Sequence, residues 1–217
     1  MLACGVCETQ EHLYAKNVLY EKFLQSGFYK DAELEYRAEE RIVDIFLTNL
    51  QGKCIAVECQ ASDIDITEFR KKTAYYSYKG IYCLWVFLGN PELDKRLLRL
   101  VNTKGSRLNF LPGEVEKKCH RWYYGRFYYF YNDKIYSIHF HPLEKWRPSS
   151  CEECLDEPRC IYKDKSQCSR YAPGYFIRNK KSVEISICPV DNMKLFCVDR
   201  KDRLRIAKFN EPSWWRV

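Results

Sequence analysis

The chain has 217 residues, a hydrophobic content of 46% and 16% aromatics, enough to bury a sizeable core in one domain with an appendage or in two small ones. Lysine and arginine exceed aspartate and glutamate by seven, a surplus that suits a polyanionic partner. No apolar run approaches the ~18 residues of a membrane span and no signal-peptide pattern opens the chain, so a soluble cytoplasmic protein without membrane contact is expected. In that compartment the twelve cysteines point to thiols and metal sites rather than disulfides.

Cys4 and Cys7 form a CxxC, half of a zinc site, whose other half is either Cys119 with His120 or lacking. Residues 8–25 read as a helix, with Ala15, Leu19 and Phe23 four residues apart and Ser26-Gly27 ending it. It carries Glu11, His12 and Lys16. Alternation predicts a first strand over 32–38. Two β-rich segments follow, 42–48 and 53–60, joined by Asn49 to Gly52 as in an antiparallel hairpin. Asp65 is placed to cap a helix, with Glu68 completing a capping box and Ile66, Phe69, Thr73 and Tyr76 on one stripe. Gly80 stands where that helix would end. The unbroken apolar run 81–88 is expected to be a strand covered on both faces and reached by the crossover helix.

Polar residues inside this apolar frame are the functional signal. Asp44 interrupts one strand, and Glu58 with Gln60 share a face of the next. Either these are solvated positions of a hairpin, or they are buried and must be paired or hold a metal, because an isolated ionised carboxylate is too costly to desolvate. Two carboxylates on adjacent strands repel, and a hard divalent cation bound through oxygens is the simplest remedy.

Beyond Gly89, residues 91–101 read as an amphipathic helix with Leu93, Leu97, Leu98 and Val101 inward. Trp122 to His141 reads as an aromatic hairpin turning at Asn132-Asp133; its rings, with Arg121 and Arg126, either pack the sheet or stack unpaired bases. His139 and His141 share a face and can reach a metal or simply lie exposed. Cys151, Cys154, Cys160 and Cys168 occupy a polar stretch that burial alone would hardly fold; four thiolates around a structural Zn²⁺ would supply the constraint, with Cys188 or a histidine as a substitute ligand. A last hairpin is expected between 183–188 and 194–198. The division expected is a core over 1–100 and an aromatic- and Cys-rich β region over 101–217.

Asp44, then Glu58-x-Gln60 on the next strand, then a helix and an apolar strand, resembles the PD-(D/E)xK nuclease core in the variant with glutamine for the usual lysine. The longer pattern RIVD, VECQAS, FRKKTAYYSYKGIYCLWVF is similar to the competence protein CoiA family, at Arg41, Ser62, Lys72, Thr73, Tyr76, Gly80 and Trp85, over residues 8–90. The resemblance implies an α+β, restriction-endonuclease-like core of order αβββαβ. It implies a metal-dependent nuclease, endonuclease before exonuclease, acting on nucleic acid with DNA favoured over RNA, alone, as a homodimer or within a larger machine. Asp44 and Glu58, with the backbone carbonyl of Cys59, would hold Mg²⁺ or Mn²⁺. Gln60 takes the usual lysine position and Lys72 is the candidate replacement cation, unless it pairs with Glu68. Glu11 or His12 would support the metal, and Arg41, Arg70 and Lys71 would contact phosphates. The alternative is a zinc-stabilised nucleic-acid-binding or complex-assembly protein with an inactive nuclease fold.

Overall fold

The computed structural model describes residues 9–61, 64–102, 108–141, 144–146, 174–176 and 183–209. Helix α1 (Gln10–Gln25) is capped by Thr9, whose hydroxyl accepts the His12 N–H at 3.2 Å, and it buries Ala15, Lys16, Leu19 and Phe23. Strands β1 (Tyr29–Ala38), β2 (Arg41–Asn49) and β3 (Cys54–Gln60) form an antiparallel meander, with Leu47 opposite Ile55 and Ile45 opposite Val57. The β2–β3 turn is held by Asn49, whose side-chain oxygen accepts the N–H groups of Gln51 and Lys53. Helix α2 (Ile66–Tyr78) then crosses over to β4 (Tyr82–Phe87), which lies parallel to β3 and has all six residues buried. The order α1-β1-β2-β3-α2-β4 is the order αβββαβ that the resemblance implied.

Both ends of α2 follow from local chemistry. Asp65 accepts the N–H groups of Thr67 at 2.7 Å and Glu68 at 3.2 Å. The Glu68 carboxylate takes Arg41 at 2.7 Å. At the other end Gly80 adopts φ +79°, its N–H bonds the Ser77 carbonyl, and the Ile81 N–H bonds that of Tyr76. That is a Schellman ending, and a side chain is disfavoured in its left-handed position.

The remaining elements are α3 (Pro91–Asn102), β5 (Leu108–Phe110), α4 (Glu114–Trp122), β6 (Phe127–Tyr131), β7 (Lys134–His141), β8 (Glu144–Trp146), β9 (Gly174–Phe176), β10 (Val183–Pro189), β11 (Leu195–Asp199) and β12 (Arg205–Phe209). They extend the same sheet, whose path runs β1-β2-β3-β4-β6-β7-β10-β5, while β8 and β9 pair separately. The far edge of β4 is shared: Cys83 pairs with Ile206 of β12, and Val86 and Phe87 pair with Tyr128 and Tyr129 of β6, all parallel. Strands from both sides of residue 100 thus build one mixed sheet flanked by helices, an α+β architecture.

Three sequence expectations need correction, and one pair of alternatives is decided. Leu98 is 57% exposed, because Leu93 and Leu97 at i,i+4 already form the buried line of α3 and Leu98 lies about 100° around the helix from Leu97. Trp122 ends helix α4 instead of starting the aromatic hairpin; Val115, Cys119 and Trp122 recur at helical spacing and the last two are buried. The hairpin itself begins at Phe127 and turns at Asn132 and Asp133, both at positive φ, as a two-residue turn matching strand twist demands. Segments 183–189 and 195–199 do not pair with each other: β10 joins β7 and β5, whereas β11 joins β12. Pro189, which lacks an N–H, is the last residue of β10. Finally, Tyr123, Phe127, Tyr128 and Tyr129 are fully buried, and Arg126 is 2% exposed, so these groups pack the sheet and are not open to stack bases.

Candidate active site

Antiparallel register puts opposite residues on one face, and extending the pairing of Ile45 with Val57 by one step sets Asp44 beside Glu58. Asp44 is fixed there by the Cys59 N–H, which donates to Oδ2 at 2.8 Å. Glu58 is only 2% exposed, so each of its oxygens needs a partner. Oε2 receives Lys72 Nζ at 2.6 Å, and Oε1 receives the Tyr76 hydroxyl in a short hydrogen bond. Lys72 and Tyr76 are four residues apart on α2 and so present to the same side. The helix is locked in rotation by buried contacts: Trp85 Nε1 donates to Thr73 Oγ1 at 3.0 Å, and Phe69 packs against the Trp85 and Trp122 rings.

Burial pushes the Glu58 carboxyl up to about 7, with the charge of Asp44 adding to the effect and Lys72 and Tyr76 opposing it. Burial also acts to raise Asp44, but the His12 ring, the Cys59 N–H and Lys72 outweigh it and hold Asp44 below the usual carboxylate range. For Lys72 burial favours the neutral amine, yet Glu58 and then Asp44 win, so the ammonium is kept charged above its ordinary value. Two negative charges therefore face one lysine in a largely dry site.

Among the described residues no group of three or more His, Cys, Asp or Glu side chains gathers as a metal cluster. The donor chemistry nevertheless fits a hard divalent cation: two carboxylates on one sheet face are supplemented by neutral oxygens of β3. Burial, with the charge of Asp44 adding to it, raises Glu58 against the pull of Lys72, and a cation beside both carboxylates would oppose that rise.

The family described as Competence protein CoiA, nuclease-like domain, matches residues 8–149. The chain belongs to the CoiA nuclease-like family. No curated protein and no solved structure matches it. In this CoiA nuclease-like domain the matched segment takes in both carboxylate strands, α2 and β4, whereas β10, β11 and β12 lie beyond it and still join the sheet.

The expected site residues separate in the structure. Asp44, Glu58, Lys72, Tyr76 and His12 converge; His12 Nε2 is 3.5 Å from Asp44 Oδ2. Gln60 follows Glu58 by two on β3 and is half-buried at the end of the strand. Glu11 instead turns toward Gly89, where a Cβ would stand 3.2 Å from its carboxylate. Arg41 pairs with Glu68 and lies over the Tyr75 ring, while Arg70 and Lys71 are exposed on α2. Lys72 pairs with Glu58 and not with Glu68.

Cys4, Cys7, Cys151, Cys154, Cys160, Cys168 and Ser62 lie outside the described residues. Cys119 is buried, and its thiol is raised by burial. His120 is 1% exposed and accepts the Phe140 N–H at 3.1 Å. His139 is also fully buried, with one ring nitrogen 2.8 Å from Ser137 Oγ and the other 2.9 Å from the Gly125 carbonyl, the arrangement of a core histidine. Sequence reasoning gave Tyr76 no role beyond the helix stripe and the family match; the i,i+4 spacing from Lys72 was the readable signal. It also gave none to Lys16, which is 3% exposed and meets Glu35 at 2.7 Å.

Proposed function

We propose that this nuclease-like domain is a metal-dependent phosphodiesterase that cuts nucleic acid internally, with DNA the favoured substrate. The single observation that supports it most is the convergence of Asp44 and Glu58 from neighbouring strands onto the lysine of the following helix. Asp44, Glu58 and the backbone carbonyl of Cys59 would hold Mg²⁺ or Mn²⁺, which when bound polarises the phosphate and makes water a nucleophile at neutral pH.

The chain's own groups do the rest. The Cys59 N–H orients Asp44, and Tyr76 anchors one Glu58 oxygen, so both carboxylates are held without reorganisation. Lys72 supplies the cation that Gln60 lacks, and its ammonium is positioned to balance charge that grows on the phosphate oxygens. Gln60 can both donate and accept, which suits orienting a water. Arg70 and Lys71 on the exposed side of α2 are placed for contacts to flanking phosphates, which position a strand without reading its sequence. The preference for DNA follows only from the family's description as a competence protein. Among the described residues no helix is long and apolar enough to cross a membrane.

The test is cleavage of labelled single- and double-stranded DNA and RNA with Mg²⁺, Mn²⁺ or EDTA, by the wild type and by Glu58→Ala. Metal-dependent cutting that the substitution removes is the expected result. A folded wild type that binds nucleic acid in a salt-dependent way but cuts nothing would favour an inactive nuclease fold.

A further inference from the structure

Lys16 is the buried charge that this mechanism leaves unused. The inner line of α1 runs back from Phe23 through Leu19 to Ala15, all fully buried, and there it turns polar: Lys16 is buried and His12, one turn nearer the N-terminus, is half-buried. Residues four apart share a side of a helix, so Lys16 and His12 continue the line that the apolar residues begin. Lys16 Nζ donates to Glu35 Oε1 at 2.7 Å, and His12 Nε2 stands 3.5 Å from Asp44 Oδ2. Leu34 pairs with Ile45 and Tyr36 with Val43, and the step between them sets Glu35 at the register position opposite Asp44. Successive turns of α1 therefore meet neighbouring strands at one level, β1 through Lys16 and β2 through His12.

Stability accounts poorly for this pair. Only 4% of the Lys16 side chain is exposed against 60% of that of Glu35, so the ammonium gives up its water for a partner that keeps its own. Apolar residues in place of a buried ion pair are often neutral or stabilising, and the carboxylate that one at position 16 would leave behind stands largely in water. Glu35 moreover adopts φ +51°, a left-handed conformation that strains a residue with a side chain. The first turn of α1 supplies a reason. Gln10, Glu11, Leu13 and Tyr14 are exposed, so Ala15 and Lys16 are the first residues of the helix to be buried. Tyr14 does bond Asp133 at 2.7 Å, but on an exposed side where water competes. Ala15 offers a methyl group that tolerates rotation, whereas Lys16 makes a directed, charged bond one turn from the His12 ring.

We propose that Lys16 is a positioning residue of the site: its ion pair with Glu35 fixes the rotation of α1 that brings His12 to Asp44. His12 in turn stands against the Asp44 carboxylate, one of the two assigned to the divalent cation, and groups that orient a metal ligand govern affinity nearly as the ligand itself does. The inference rests on the nuclease reading for its effect on cleavage, while the placement of His12 is read without any cutting.

The experiment uses the full chain as wild type, Lys16→Met, Lys16→Arg, His12→Ala and the double variant of Lys16→Met with His12→Ala. Histidine ring resonances are recorded without metal, Mn²⁺ affinity is measured by calorimetry, and cleavage of labelled single- and double-stranded DNA and RNA is followed under saturating Mn²⁺. Lys16→Met should shift the His12 ring signals and leave those of the buried His120 and His139 in place. It should weaken Mn²⁺ binding about tenfold and lower kcat while KM for the strand holds. Lys16→Arg, which keeps the charge and the donors, should recover part of each loss. In the double variant the Mn²⁺ loss should equal that of His12→Ala alone, because both changes act through one ring. If Lys16→Met melts earlier than the wild type, Glu35→Gln, a change at an exposed side chain, takes its place with the same expectations. His12 signals that stay in place in the folded variants, or Mn²⁺ losses that add, overturn the positioning role and leave the nuclease reading standing wherever the wild type cuts. Shifted His12 signals with no strand cut overturn the nuclease reading and leave the positioning role in force.

Discussion

Glu58 carries the tension of the site. Its carboxyl is nearly as buried as the aliphatic residues around it, yet two donors on α2 reach it. Lys72→Met removes the cation and leaves the carboxylate in a dry pocket; cleavage should fall by about 10²–10³-fold, and Lys72→Arg should recover part of it, read as kcat under saturating metal. Tyr76→Phe removes one hydrogen bond to an ionisable group, a loss of about 1.5–3 kcal/mol, measurable by urea denaturation without metal.

The pH dependence follows from the same residue. With the folded-state pKa raised to about 7, the native protein holds a proton on Glu58 that the unfolded chain has released. This contribution to stability is complete below the ordinary glutamate range and is lost as pH rises through about 7. A divalent cation competes with that proton, so Mg²⁺ or Mn²⁺ should bind more weakly at pH 6 than at pH 8. The metal-induced rise in Tm should grow in step, a trend that calorimetric titration and thermal melts at the two pH values would check.

At the scale of elements, α2 connects the two halves of the site. Its inner side offers Lys72 and Tyr76 to Glu58, its buried Thr73 holds Trp85, and Arg70 and Lys71 face outward. The start of the helix rests on Asp65. Asp65→Ala should cost about 1 kcal/mol by chemical denaturation, and it should also lower activity, because fraying the first turn loosens the helix that carries Lys72. The caps, the stripe of Phe69, Thr73 and Tyr76 and the Gly80 ending were all legible beforehand, since each depends on chemistry within a few residues. The strand of residues 205–209 was not: Arg205 and Lys208 blur the alternation, and pairing with β11 along its length and with β4 at Ile206 selects it. The hairpin expected over 183–198 failed because β10 found the distant strand β7 and β11 turned forward onto β12.

For the whole molecule, the sheet is continuous across the expected boundary at residue 100. β4 lies in its centre, with β3 on one side and β6 and β12 on the other. A chain ended at Asn102 would leave that second edge of β4 unpaired. It should give poorly dispersed amide resonances and aggregate, whereas independent folding would support a two-domain division. Tyr123 makes the dependence concrete: its hydroxyl donates to the Cys83 carbonyl at 2.7 Å and accepts the Trp85 N–H at 3.2 Å, stitching the later half to the site strand.

The sequence by itself determined the order of core elements, the ends of α2, and the position of Asp44, Glu58 and Gln60 as polar residues inside apolar strands, because periodicity and capping act locally; Lys72 entered only through the resemblance to the family. Tertiary structure alone decided that Glu58 is buried, that Lys72 pairs with it in preference to Glu68, and that His12 rather than Glu11 reaches Asp44. Those choices depend on how a helix rotates and how strands register across many residues of separation, where packing of Trp85, Phe69 and Trp122 outweighs any local preference.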